Sequence, residues 1–349
     1  THITQQTISS EMKNLITATI LTVTRGRGKG ERVASCELRV AGCGLRVAGC
    51  VCVLRVASCE LRVAGCGCVL RVAGWMRNHY KLQNPILGER LNIFDSHCHL
   101  DDKTYKHDLN NVIQRARNTG VVRMMTIGIN KRTSELACAL ARSHTGIYAS
   151  VGVHPHDVKN CSESILQELV NLAQEKRVRA WGEIGLDFNR MYSPREDQEK
   201  WFRRQLEVAG QLNLPMIFHE RDSHGRFLEI LDSTSKNIDG VVHCFSGTRE
   251  ELTHYLNLGL HIGITGIITM KSRGTLLREM APAIPADRLL IETDAPYLTP
   301  TPERNRHRRN EPACVKSVLL KLAEVRADDT EELAQTVWEN TCRLYGLES

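Results

Sequence analysis

Residues 91–99 read Leu-Asn-Ile-Phe-Asp-Ser-His-Cys-His: a short apolar run that ends in a polar cluster containing two histidines. An apolar run of this length bounded by polar residues is a buried strand, and alternation along a strand turns His97 and His99 to the same side. The residues after it decide the fold. A doubly wound open sheet announces itself by a glycine-rich phosphate loop after its first strand. No such loop is present here; the chain passes instead into an amphipathic helix over 108–119.

The same unit then recurs. Strands are predicted at Leu91–Asp95, Val121–Ile129, Tyr148–Val153, Val178–Ile184, Met216–His219, Val241–Phe245, His261–Ile267 and Leu289–Glu292. Helical patterns lie between them, at 108–119, 135–143, 165–175, 195–212, 225–233, 250–258 and 276–281, with 315–325 and 331–344 after the last strand. Eight β/α alternations in the last 261 of 349 residues predict an α/β protein of the (β/α)8 TIM-barrel class.

Composition agrees with a folded, water-soluble chain: 42% of residues are hydrophobic and 25% charged. No run reaches the ~18 uncharged apolar residues of a membrane span, so no membrane partner is expected. The net charge of +6 is unevenly placed. Residues 1–88 hold 12 Lys and Arg against 4 Asp and Glu, while residues 89–349 hold 34 against 36. The basic surplus therefore says nothing about what the barrel binds.

Cysteines divide in the same way. Seven of 13 fall between Cys36 and Cys68, and the other six are scattered singly, as reduced thiols of a cytoplasmic protein are. The N-terminal stretch repeats Leu-Arg-Val-Ala from Leu38, Leu45, Leu54, Leu61 and Leu70. That unit is shorter than those of folded repeat proteins. Its Cys50-x-Cys52 and Cys66-x-Cys68 pairs lack the spacing and the His partners of a zinc site. Residues 1–88 are expected to be a low-complexity extension, disordered or derived from translated repetitive DNA, with Met76 as an alternative start and 89–349 as the folded barrel domain.

Chemistry-bearing residues stand at the ends of the predicted strands, where barrel enzymes assemble their sites. Besides His97 and His99 there are Glu183, in Trp-Gly-Glu-Ile-Gly-Leu-Asp (181–187), and His219, after Pro-Met-Ile-Phe (215–218). His243 opens His-Cys-Phe-Ser-Gly (243–247), and Asp294 lies in Glu-Thr-Asp-Ala-Pro-Tyr (292–297). A bare polar group at the end of an apolar strand is costly. Four histidines and two carboxylates suit two divalent ions, Mg²⁺, Mn²⁺ or Zn²⁺, bridged by a carboxylate.

These motifs, together with Gly-Val-His-Pro-His (152–156) and His219–Asp222, resemble the TatD family of metal-dependent deoxyribonucleases, part of the amidohydrolase-like metal barrels. The likeness runs over about 91–347. It implies His97, His99, Glu183 and Asp294 at a first metal, and Glu183, His219 and His243 at a second, with Glu183 bridging. A carboxylated lysine holds that bridging place in many wider relatives, so Glu183 favours the TatD type. Asp294 would double as general base. His154 would contact substrate phosphate, and His156 and Arg221 are candidate substrate contacts, each with an ordinary structural role as the alternative. Glu292 would order the site or hold a further ion, with a buried structural salt bridge as the alternative. Cys98 and Cys244, alternating away from the ligands, are expected to pack. The basic loop Arg304, Arg306, His307, Arg308 and Arg309 would hold a nucleic-acid backbone, with a solvated charge run as the alternative.

The implied activity is hydrolysis of DNA phosphodiesters, as an exonuclease on single-stranded ends, with no obligate protein partner. The alternatives are a D-aminoacyl-tRNA deacylase, or another ester or amide hydrolase on this scaffold. From a different class comes a non-catalytic metal- or nucleic-acid-binding module.

Overall fold

The computed structural model describes residues 19–24, 35–40, 43–48, 54–56, 59–61, 91–234 and 238–349. The chain divides into two units, Thr1–Glu89 and Arg90–Ser349. In the first, Thr19–Thr24, Ser35–Val40 and Cys43–Ala48 pair antiparallel in that order, and Leu54–Val56 pairs with Cys59–Leu61. The cysteine side chains of the repeat and Met76 lie outside the described residues.

The second unit is a (β/α)8 barrel. Its strands are β1 (Ile93–Cys98), β2 (Val121–Ile127), β3 (Ile147–Val151), β4 (Val178–Asp187), β5 (Met216–Arg221), β6 (Gly240–Val242), β7 (His261–Ile264) and β8 (Leu289–Ile291). Each is parallel to its neighbours in sequence order. The ring closes where Asp294 N–H donates to the His97 carbonyl at 2.9 Å and His99 N–H to that of Ala295 at 2.8 Å. Asp95 fastens the same seam, accepting from Thr293 N–H at 2.8 Å and Thr293 Oγ1 at 2.6 Å.

Helices α1 (Leu109–Asn118), α2 (Lys131–Ser143), α3 (Glu163–Ala173), α4 (Arg195–Leu212), α5 (Arg226–Asp232), α6 (Arg249–Asn257), α7 (Thr275–Met280), α8 (Val315–Arg326) and α9 (Thr330–Leu344) follow the strands. The first of two buried clusters lies between strands and helices. The second gathers Phe94, Met125, Ile127, Ala180, Ile217, Val241 and Leu290 with Trp338, Cys342, Leu344 and Tyr345. Residues from six strands that touch one another must fill the barrel's interior, and α9 with its C-terminal end plugs it.

Some boundaries differ from those the sequence predicts, for local reasons. Helix α2 starts four residues early because Asn130 and Thr133 form a capping box. Strand β6 stops at Val242 because Cys244 turns left-handed at φ 50°. Strand β7 stops at Ile264 because Thr265 caps a short 3₁₀ turn.

Candidate metal centre

The C-terminal ends of the strands bring the six predicted ligands together. His97 comes from β1 and His99 follows it; Glu183 comes from β4 and His219 from β5; His243 follows β6 and Asp294 follows β8. His154 and His156, after β3, join them. Arg221, which ends β5, is exposed and has no side-chain hydrogen bond or ion pair among the described residues.

One half of the centre lies on β1, β6 and β8. The fully buried His97 ring stacks on His243 with 3.5 Å between centroids. His97 Nε2 is 3.5 Å from Glu183 Oε2 and 3.8 Å from Asp294 Oδ1, and neither ring nitrogen of His97 has a hydrogen-bond partner. His99 Nε2 is 3.3 Å from Asp294 Oδ1. His243 Nε2 is 3.9 Å from both Glu183 Oε1 and Asp294 Oδ1, while its Nδ1 lies 2.8 Å from Glu292 Oε1. Ligands of one tetrahedral cation at about 2.1 Å stand roughly 3.4 Å apart. The spacings around His97, too long for hydrogen bonds and with orphaned buried nitrogens, therefore fit a shared cation.

The other half, on β3, β4 and β5, is hydrogen-bonded. His219 Nδ1 meets Glu183 Oε1 at 2.8 Å, and its Nε2 meets Asp187 Oδ2 at 3.1 Å. Both carboxylates only accept, so His219 donates twice and is an imidazolium. Burial pulls its pKa down, but the bonds to Asp187 and Glu183 lift it to about 9. His156 Nε2 reaches the same Asp187 oxygen at 2.8 Å. His154 Nδ1 accepts from His156 N–H at 3.0 Å, which leaves the proton on Nε2, 3.6 Å from Glu183 Oε1. Burial and the neighbouring His219 hold His154 well below the ordinary histidine range, so it is neutral.

Charge on the carboxylates follows the same logic. Burial alone would raise Glu183, yet its interactions with His154, His243 and His97 and the bond from His219 bring it well below the usual range. Asp294 is likewise lowered against burial by its bond to His99 and by His243. His243 is lifted against burial to about 10 by Glu292 and Glu183. Asp95, deep behind the centre, is pushed by burial to about 8.

Several working residues escape sequence analysis. Asp187 is the chief one: its Oδ1 accepts from Asn189 and Arg190 N–H at 3.0 and 2.8 Å while Oδ2 serves the two histidines. A signal for it exists, because Glu183, Gly185 and Asp187 alternate along one strand that continues past Ile184. Gly185, at φ 144°, is required there, since a Cβ would collide with the His219 carbonyl. Two buried glutamines of α4 hold the loops. Gln205 exchanges bonds of 2.8 and 2.9 Å with the Val153 backbone, and Gln198 does so with Asp187 at 2.9 and 3.1 Å.

Two sequence expectations change, and a third, the role of Glu292, is decided. Glu292 braces His243 and accepts from Cys244 N–H at 2.6 Å; Gly263 leaves room for its carboxylate. Cys244 does not alternate away: its left-handed backbone brings the thiol within 4.8 Å of the His243 and Asp294 ligand atoms. Cys98 does pack, fully buried, with its thiol on the Met125 carbonyl. Arg309 leaves the basic loop, because it pairs with Asp108 at 2.8 Å and Glu311 at 2.7 Å. Arg306 and Arg308 stay exposed.

A parallel eight-stranded barrel with clustered histidines and carboxylates at its C-terminal rim defines a metal-dependent barrel hydrolase. The chain belongs to the TatD-related DNase family, whose pattern it matches over residues 94–346. A 3′-5′ ssDNA/RNA exonuclease TatD of Pantoea ananatis is 43% identical over 259 residues, covering 73% of this chain and 100% of that one. Its Escherichia coli K12 counterpart is 41% identical over 259 residues, covering 73% and 99%. Among solved structures, a TatD homologue from Escherichia coli K12 superposes with a TM-score of 0.69 at 30% identity over 74% of this chain and all of that one. A TatD-family hydrolase from Entamoeba histolytica gives 0.67 at 26% identity, over 74% and 99%.

Proposed function

We propose that the chain removes nucleotides from the 3′ ends of single-stranded nucleic acid, DNA above all, using two divalent cations of the Mg²⁺, Mn²⁺ or Zn²⁺ kind. The observation that carries this is His97, buried with both ring nitrogens unpartnered among carboxylates at 3.5 and 3.8 Å. His97, His99, Glu183 and Asp294 would hold one ion, and Glu183, His219 and His243 the other. Glu183 suits the bridge because its two oxygens meet different histidines, Oε2 at 3.5 Å from His97 Nε2 and Oε1 at 2.8 Å from His219 Nδ1. The relatives' activity on single-stranded DNA and RNA supports the substrate class.

Bound there, such cations would polarise the phosphate and ease deprotonation of water. Asp294, with Oδ1 turned to the three histidines around it, takes up the water's proton. His154 presents a neutral Nε2–H to a phosphate oxygen, while His156, tied to Asp187, lines the approach. The exposed Arg221, Arg306 and Arg308 contribute charge for the strand's backbone. This machinery lies wholly in residues 89–349, with 1–88 dispensable to it. Six unpaired cysteines in the barrel agree with a cytoplasmic site of action.

The test is cleavage of end-labelled single- and double-stranded oligonucleotides with each ion, beside hydrolysis of D-aminoacyl-tRNA, with and without chelator. Stepwise shortening of single strands from the 3′ end, abolished by chelator, is expected. Chelator-insensitive cleavage, or turnover of the aminoacyl ester alone, would overturn the proposal.

A further inference from the structure

Most of the barrel's aromatic rings are buried or half-buried, and among the described residues only Tyr192 and Tyr297 stand exposed, each at 54%. Scattered apolar exposure needs no explanation, but these two are not scattered. Tyr192 lies between β4 and α4, and its ring centroid is 4.8 Å from that of His156 at 72°. Tyr297 follows β8, 5.9 Å from His99 at 68°. In a ring of eight strands β4 and β8 stand opposite each other, so the metal centre lies between the two tyrosines.

Both rings stand on fixed backbone. Tyr297 N–H donates to the Asp294 carbonyl at 2.8 Å, and its own carbonyl accepts from the buried Asn310 side chain at 2.6 Å. Beside Tyr192, the buried Ser193 donates its hydroxyl to the His156 carbonyl at 2.9 Å, and its carbonyl accepts from Gln198 at 2.9 Å. The steep angles show that neither ring stacks flat on the histidine next to it, so a flat face stays available.

We infer that Tyr192 and Tyr297 are positioning residues on which the unpaired bases flanking the scissile phosphodiester stack. The inference rests on the nuclease reading above and deepens it. Every base has a π face, so two such platforms would grip any sequence. Bases in a duplex are already stacked on one another and paired, and are not free to be splayed onto side chains, so the same platforms favour single strands.

The test compares wild type with Tyr192→Ala, Tyr297→Ala and the two Phe variants, each loaded with metal. One substrate is a single-stranded oligonucleotide of mixed sequence; the other carries abasic residues on both sides of the scissile bond. On the first, each Ala variant should raise KM about tenfold, which corresponds to roughly 1.4 kcal/mol. Its kcat and metal content should be unchanged, and Phe should restore KM. On the abasic strand, wild type and Ala variants should share one raised KM. Wild-type KM in the Ala variants on the mixed sequence, with the wild-type chain active, would overturn the stacking role alone. A wild-type chain that leaves both strands intact would overturn the nuclease reading with it.

Discussion

On the β1–β8 side of the centre, His97, His99 and His243 Nε2 stand 3.3–3.9 Å from the Glu183 and Asp294 oxygens, and the ring nitrogens of His97 have no hydrogen-bond partner. On the β4–β5 side, His219 and His156 meet carboxylates at 2.8–3.1 Å. The residue types are the same; the arrangement is opposite. His219 holds a proton between Glu183 and Asp187, whereas the His97 ring nitrogens have no hydrogen-bond partner among the described residues. The first half is thus preorganised for a cation save for the proton on His243, and the other must give up the proton on His219 first. Glu183 joins them, one oxygen to each.

The largest effect should come from the preorganised half. Asp294→Asn keeps an oxygen for the metal but cannot take up a proton at neutral pH, so single-turnover cleavage should fall about 10²–10⁴-fold with nucleic-acid binding preserved. His154→Ala should weaken equilibrium binding as well as slow cleavage. Near-normal chemistry in Asp294→Asn would leave that carboxylate a ligand at most.

Asp187→Asn strikes only the hydrogen-bonded half. The anion that orients His219 and His156 is lost, and outer-shell partners of this kind are typically worth 10–100-fold in metal affinity. Titration calorimetry should show one ion weakened by about that factor and the other untouched. Equal weakening of both would break the distinction between the halves.

Protonation sharpens the same contrast. His219, at about 9, and His243, at about 10, carry charge at neutral pH in the metal-free protein. Metal uptake should therefore release protons and weaken as pH falls, read by calorimetry in buffers of different ionisation enthalpy. Both values lie above the ~6.5 of an unfolded histidine. Their stabilising contribution to the chelated fold is thus complete below about pH 6.5 and lost as pH rises through 9 to 10. Uptake without proton release would contradict the imidazolium assignment. The smallest effect is expected from deleting residues 1–75: unchanged melting temperature and metal content, because every residue assigned to the two halves lies beyond that stretch. A large loss of folded protein would refute it.

What the sequence makes legible is whatever is local. The strand–helix alternation is visible because each strand is a short apolar run, and the pattern over 195–212 coincides with α4. The six candidate ligands stand out because each breaks an apolar strand end. The rest depends on contacts distant in the chain. Glu292 meets Cys244 48 residues away, and Arg309 meets Asp108 201 residues away, so neither partner is readable beforehand. Gln198 and Gln205 look like ordinary polar helix residues until the loops they clamp are folded against them. Alternation misplaces Cys244 because it holds only while a strand lasts, and this one ends two residues earlier.

The bridge is the central claim, and counting metal in Glu183→Gln tests it most directly. The glutamine keeps the shape of the side chain and removes its charge. Elemental analysis should find two divalent ions per wild-type chain and fewer in the variant, with nuclease activity lost and the melting temperature held. Two bound ions and full activity in Glu183→Gln would contradict a centre bridged by Glu183.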